Sequence, residues 1–155
     1  MKHKKTLIIS LLIFQVGITN AQIGENLTDI VERFGSAIKE HNNVEIPTKI
    51  FIKDDIQIQL TLKKNKVDAA VYSSAFLSDG YKRKPITETQ LDKIYKWNNI
   101  SEDDIVDVKI ENYPQLDGVY KKTKDSRLII THDKNQNLLT IADSKSFFEY
   151  LSSKR

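Results

Sequence analysis

From Ile56 to Lys63 the chain reads IQIQLTLK: Ile56, Ile58, Leu60 and Leu62 alternate with Gln57, Gln59, Thr61 and Lys63. Successive side chains of a strand point to opposite faces, so this pattern requires a strand with one face in a core and the other toward water. A second alternation, Val67, Ala69 and Val71, follows the turn residues KKNK. With Lys64-Asn65 as a two-residue hairpin loop, Leu62 pairs with Val67, Leu60 with Ala69 and Ile58 with Val71. Moving the loop by one residue changes the partners but keeps both apolar sets on one face. Tyr72 is then expected to face outward with Gln57, Gln59 and Thr61.

The rest of the chain supplies helices and further strands. In LTDIVERFG, Leu27, Ile30, Val31 and Phe34 fall on one stripe at helical spacing, with Asn26 as N-cap and Gly35 as the C′ residue that stops the helix. ITETQLDKIYKWN carries a capping box at Thr87 and Gln90 and a hydrophobic staple at Ile86 and Leu91, ahead of an inner stripe of Leu91, Ile94 and Tyr95. KIFI, turned by Asp54-Asp55, precedes the IQIQLTLK strand. Val106, Val108 and Ile110 alternate, GVYKKT, RLIITH and LLTIA read as three more strands, and SKSFFEYL reads as a short closing helix. SAIKEHNNVEIP is a loop or a short edge strand. Runs of antiparallel strands with helices between them indicate an α+β fold. The expected form is a β-meander sheet with two main helices on one face and a short C-terminal helix. The helix-then-meander order occurs twice, as a duplicated unit would give.

The first 21 residues read differently. Lys2, Lys4 and Lys5 precede a run that is apolar from Leu7 to Ile18 apart from Ser10, Gln15 and Gly17, and Thr19 and Ala21 stand at the small-residue positions before a cut. That order is a secretory signal peptide, and the run falls short of the about 20 apolar residues that span a bilayer. The expectation is a cleaved leader at 1–21 and a single exported domain at 22–155, periplasmic or extracellular, with no membrane insertion after cleavage. The leader holds three of the 24 Lys and Arg and none of the 21 Asp and Glu, so the remainder is neutral overall. A neutral domain lacks the basic charge that drives nucleic-acid binding. There is no cysteine, hence no disulfide and no lipidated cysteine, and stability must come from packing.

Residues 24–72 resemble the small periplasmic domains typified by SmpA/OmlA and the β-lactamase-inhibitor-protein fold. The resemblance lies in LTDIVERFG, a helix closed by an aromatic-Gly pair, and LTLKKNKV, a hairpin with Asn in its turn. The chain departs from that pattern in lacking a Pro after Gly35 and in reading Asn-Lys where Asn-Gly is common. The resemblance implies a helix-on-sheet scaffold used for protein contacts rather than catalysis, and transfers no functional residue.

Catalytic and metal chemistry need converging groups. His41 and His132 are far apart in sequence and have no cysteine beside them, a poor zinc set. Asp133, Asn135 and Asn137 begin like a calcium loop, but Leu138 and Ser144 stand where Gly and Glu are needed. Glu102, Asp103 and Asp104 form a solvated loop, and neither G-x-S-x-G nor a P-loop occurs. No catalytic, metal or cofactor residue is therefore assigned. The aromatic residues point to a protein partner instead: Tyr72, Phe76, Tyr81 and Trp97, with Arg83, are the anchor types of protein interfaces. The expected role is a non-catalytic binding module. The alternatives are an inhibitor or immunity-type protein against one enzyme, and a small periplasmic hydrolase.

Overall fold

The computed structural model describes residues 22–42, 46–76, 82–108 and 120–153. Among them the elements run α1 (Leu27–Phe34), β1 (Lys39–His41), β2 (Thr48–Lys53), β3 (Ile56–Lys63), β4 (Lys66–Ser74), α2 (Glu88–Trp97), a single 3-10 turn at Glu102–Asp104, β5 (Ile105–Asp107), β6 (Tyr120–Thr123), β7 (Leu128–Asp133), β8 (Leu138–Asp143) and α3 (Ser144–Ser153). This is the α+β class expected. All eight strands join one antiparallel sheet in the order β1-β2-β3-β4-β8-β7-β6-β5. Each half of the chain is thus a meander, and the two meanders meet where β4 pairs with β8.

The polar stretch after α1 resolves as the edge strand β1. Ile110 and the start of GVYKKT lie outside the described residues, as do Tyr81 and the leader.

Local chemistry explains the elements. Asp54-Asp55 and Lys64-Asn65 both have positive φ at both positions (50° and 62°, 52° and 63°), the geometry of tight two-residue hairpins. α1 ends at Gly35 with φ 83°, where its N–H bonds the Val31 carbonyl. Val31 itself stays 38% exposed, so the buried stripe of α1 is narrower than its sequence suggests. At the start of α2 the Thr87 side chain accepts from Gln90 N–H at 3.2 Å and Gln90 Oε1 accepts from Thr87 N–H at 3.0 Å. Thr87→Ala should lower stability by about 1 kcal/mol in chemical denaturation. A loss indistinguishable from zero would mean that the box contributes nothing.

Ile56, Ile58, Leu60 and Leu62 are all buried, as the alternation requires. They share one cluster with Phe51 of β2, Leu128 and Ile130 of β7, and Leu139 and Ile141 of β8. Ile30 and Phe34 of α1 and Ile94 of α2 close that cluster. α3 lies elsewhere. Its Phe147 meets Tyr120 at 4.9 Å between ring centroids. Tyr120 is paired with Thr131 and alternates with Lys121, the partner of the core residue Ile130. Phe147 therefore sits on the opposite face of the sheet from the main core.

The β3–β4 register corrects the facing expected for β4. Leu62 does pair with Val67, but Thr61 pairs with Ala69, leaving Asp68 as the extra residue of a β-bulge. Beyond the bulge Leu60 pairs with Ala70 and Ile58 with Tyr72. Ala70 and Tyr72 consequently face the core at 0% exposure, while Ala69 and Val71 are half-buried on the outer face. One inserted residue inverts the strand.

Candidate functional site

Of the five residues expected to form a contact surface, Tyr81 lies outside the described residues, and the other four do not share one surface. Tyr72 is interior, not an outward sheet residue. Its hydroxyl donates to Gln22 Oε1, and its oxygen accepts from Asn98 Nδ2 at 2.7 Å. Burial pushes this phenol well above its ordinary pKa, the Asn98 bond opposing, so it remains a neutral donor. Trp97 is half-buried and stacks edge-on against Phe34 of α1 at 5.3 Å, 79°. It helps to seal the junction of the two helices. Next to it the Glu25–Arg33 pair closes at 2.6 Å. Burial outweighs the guanidinium and leaves the Glu25 carboxyl above its ordinary value.

Phe76 and Arg83 remain, and they lie close to each other. β4 ends at Ser74, whose Oγ accepts the Phe76 backbone N–H at 3.2 Å and holds the following chain. Phe76 is 52% exposed. Lys84 N–H reaches the Phe76 carbonyl at 3.3 Å, and its ammonium stands 6.0 Å from the ring centroid. Arg83 is exposed, but its Nε donates to Ser73 Oγ at 3.1 Å. Its carbonyl accepts from Asn137 Nδ2 at 2.7 Å. The end of β4 and the β7–β8 turn therefore tether the segment that carries the cation. Ser73 shares a cross-strand row with Gln57 and Ile52, and Ile52 is 46% exposed.

A second place was not singled out by sequence. Tyr95, Glu102, Ile105, Lys121, Ile130, His132 and Lys134 line a cleft of about 460 Å³ between the end of α2 and β5–β7. His132 is exposed at the rim yet desolvated on its cleft side. Burial, then Lys134, hold its imidazole below the ordinary value against the pull of Asp133. Burial, then Glu102, raise Tyr95. Near neutral pH the cleft thus presents a neutral imidazole, a neutral phenol and lysines. That set can donate and accept hydrogen bonds. Its lining contains no serine or threonine hydroxyl or thiol to act as nucleophile.

A wider groove of about 630 Å³ runs between the β3–β4 turn and α3, lined by both signs of charge and crossed by the Lys63–Glu149 pair at 3.0 Å. The would-be calcium loop is an ordinary turn, in which Asp133 Oδ1 accepts from the N–H groups of Asn135 and Gln136 at 2.9 and 3.1 Å. Among the described residues no three His, Asp or Glu side chains gather as a metal site would require, and no helix is long and apolar enough to cross a membrane.

Comparison with known proteins gives little to add. No family model matches the chain, and no curated protein matches it. Among solved structures, an extracellular protein containing an SCP domain from Bacillus anthracis str. Ames is similar at TM-score 0.46 and 12% identity, over 96% of this chain and 51% of that one. A cysteine-rich secretory protein from Staphylococcus aureus subsp. aureus Mu50 is similar at TM-score 0.41 and 10% identity, over 81% of this chain and 46% of that one. The chain spans about half the length of each. Likenesses at this level assign neither a family nor a function to it.

Proposed function

We propose that this is an exported, non-catalytic protein-binding module whose contact surface is built on Phe76 and Arg83. Export is supported by the charged, apolar and small-residue order of residues 1–21. The observation that carries binding is the exposed Phe76 ring, flanked by Lys84 and by an Arg83 that Ser73 and Asn137 hold in place. An aromatic ring and a guanidinium that are already positioned lose little freedom on docking, and both are favoured anchors. The resemblance to SmpA/OmlA-type domains points the same way, to a scaffold for protein contacts. Duplication of a helix-meander unit, with both main helices over one face, belongs to the same proposal. An inhibitor or immunity-type role shares this surface and differs in the partner alone.

The test begins with capture of a partner by the chain from Gln22 onward, followed by titration of that partner with Phe76→Ala and Arg83→Ala variants that melt normally. Each should weaken binding by about 2 kcal/mol, roughly thirtyfold. Wild-type affinity in both would remove this surface from the proposal. The cleft at Tyr95, Glu102 and His132 favours the second reading, a small hydrolase. Hydrolysis of a model ester or glycoside that His132→Ala abolishes would support that reading over binding.

A further inference from the structure

We infer that Gln22, once it is the first residue of the exported chain, closes into a pyroglutamyl ring whose carbonyl oxygen accepts the Tyr72 hydroxyl; this rests on the export reading above. The two ends of the Gln22 amide are in unlike situations. Its Oε1 is the acceptor for Tyr72, a fully buried core residue whose own oxygen is held by Asn98. Its Nε2 is buried and has no hydrogen-bond partner among the described residues. A buried amide nitrogen without an acceptor is disfavoured, and native interiors contain few.

Ring closure removes the unpaired atom and keeps the paired one. The α-amino nitrogen attacks Cδ of the side chain, the new N–Cδ bond forms and the Cδ–Nε2 bond breaks. Nε2 leaves as ammonia with the proton given up by the amine. Oε1 stays as the lactam oxygen. No oxidant, reductant or second substrate is consumed. The step can occur while the translocated chain is still unfolded and its amine is free.

Charge favours the same outcome. A cut before Gln22 creates an α-ammonium that titrates near neutral pH, on a residue seated against the interior. The lactam is neutral, so no cation has to leave water. The rival arrangement keeps the ring open and sets the ammonium against Glu25, whose Oε2 is also buried and unpartnered.

The experiment is an intact-mass measurement on exported protein, combined with digestion by pyroglutamyl aminopeptidase. The substrates for digestion are the folded protein and its tryptic peptide 22–33. The expected mass is that of the chain from Gln22 less one ammonia, and the ring should be released from the peptide at least about tenfold faster than from the folded protein. The full mass of a Gln22-initiated chain would overturn the ring while leaving the leader reading intact. Equal release from both substrates would overturn its burial beneath Tyr72. A chain that begins at Met1, or at any residue other than Gln22, would overturn both the ring and the cut that creates it.

Discussion

Leu60→Asp should abolish the folded state, whereas Gln59→Asp should cost about 1 kcal/mol or less. Leu60 is 0% exposed at the middle of β3, between Lys49 of β2 and Ala70 of β4, in the cluster that α1 and α2 close. The cross-strand Lys49 is already engaged by Glu40 at 2.6 Å, so a carboxylate there must compete for that cation or stay buried unpaired, at a cost of several kcal/mol. A domain of this size has roughly 5–15 kcal/mol of net stability to lose. Gln59 is one residue away and on the other face, half-buried between Ile50 and Val71, where a carboxylate reaches water. Thermal melts followed by circular dichroism separate the two variants. Equal, small losses in both would mean that β3 faces the other way.

Tyr72→Ala should be nearly as damaging, at about 3–5 kcal/mol, because it removes a large ring from a filled interior. Tyr72→Phe isolates the hydroxyl and should cost about 1–3 kcal/mol. Without the O–H, Gln22 Oε1 loses its donor, and Asn98 Nδ2 keeps only the Ile94 carbonyl at 2.8 Å. Urea denaturation of the three proteins gives both numbers. A Phe variant as stable as wild type would show that the hydroxyl bonds contribute nothing.

These two side chains also mark the boundary of what the sequence discloses. Leu60 is legible because burial alternates strictly along β3 and the turns on either side hold the residue types their dihedrals need. The capping box of α2 is legible for the same reason: its partners are three residues apart. Tyr72 is not legible. Val67, Ala69 and Val71 form an apolar alternation, and so do Ala70 and Tyr72. The choice between them is made by one bulged residue, Asp68, which carries no turn signature of its own. The groups that satisfy the Tyr72 hydroxyl lie 50 and 26 positions away. Trp97 is misread in the same way, since it is off the inner stripe of α2 but is covered by Phe34 of α1. The cleft around His132 draws on α2, the 3-10 turn, β5, β6 and β7, and no local pattern joins them. Arg83 is held by Ser73, ten positions away, and by Asn137, 54 positions away, so its placement too rests on a partner that no local pattern names.

The strand β1 has a consequence for the protein in a crowded compartment. A sheet margin is where a foreign chain can add itself, through backbone groups that have no neighbour. Here that margin is three residues long, Lys39, Glu40 and His41, every one exposed. Glu40 is tied to its cross-strand partner Lys49 at 2.6 Å, so the margin is drawn toward its own sheet. An incoming strand would gain very few backbone hydrogen bonds and would have to seat itself beside charged side chains. The fold thus resists fibrillar growth along this side through brevity and charge.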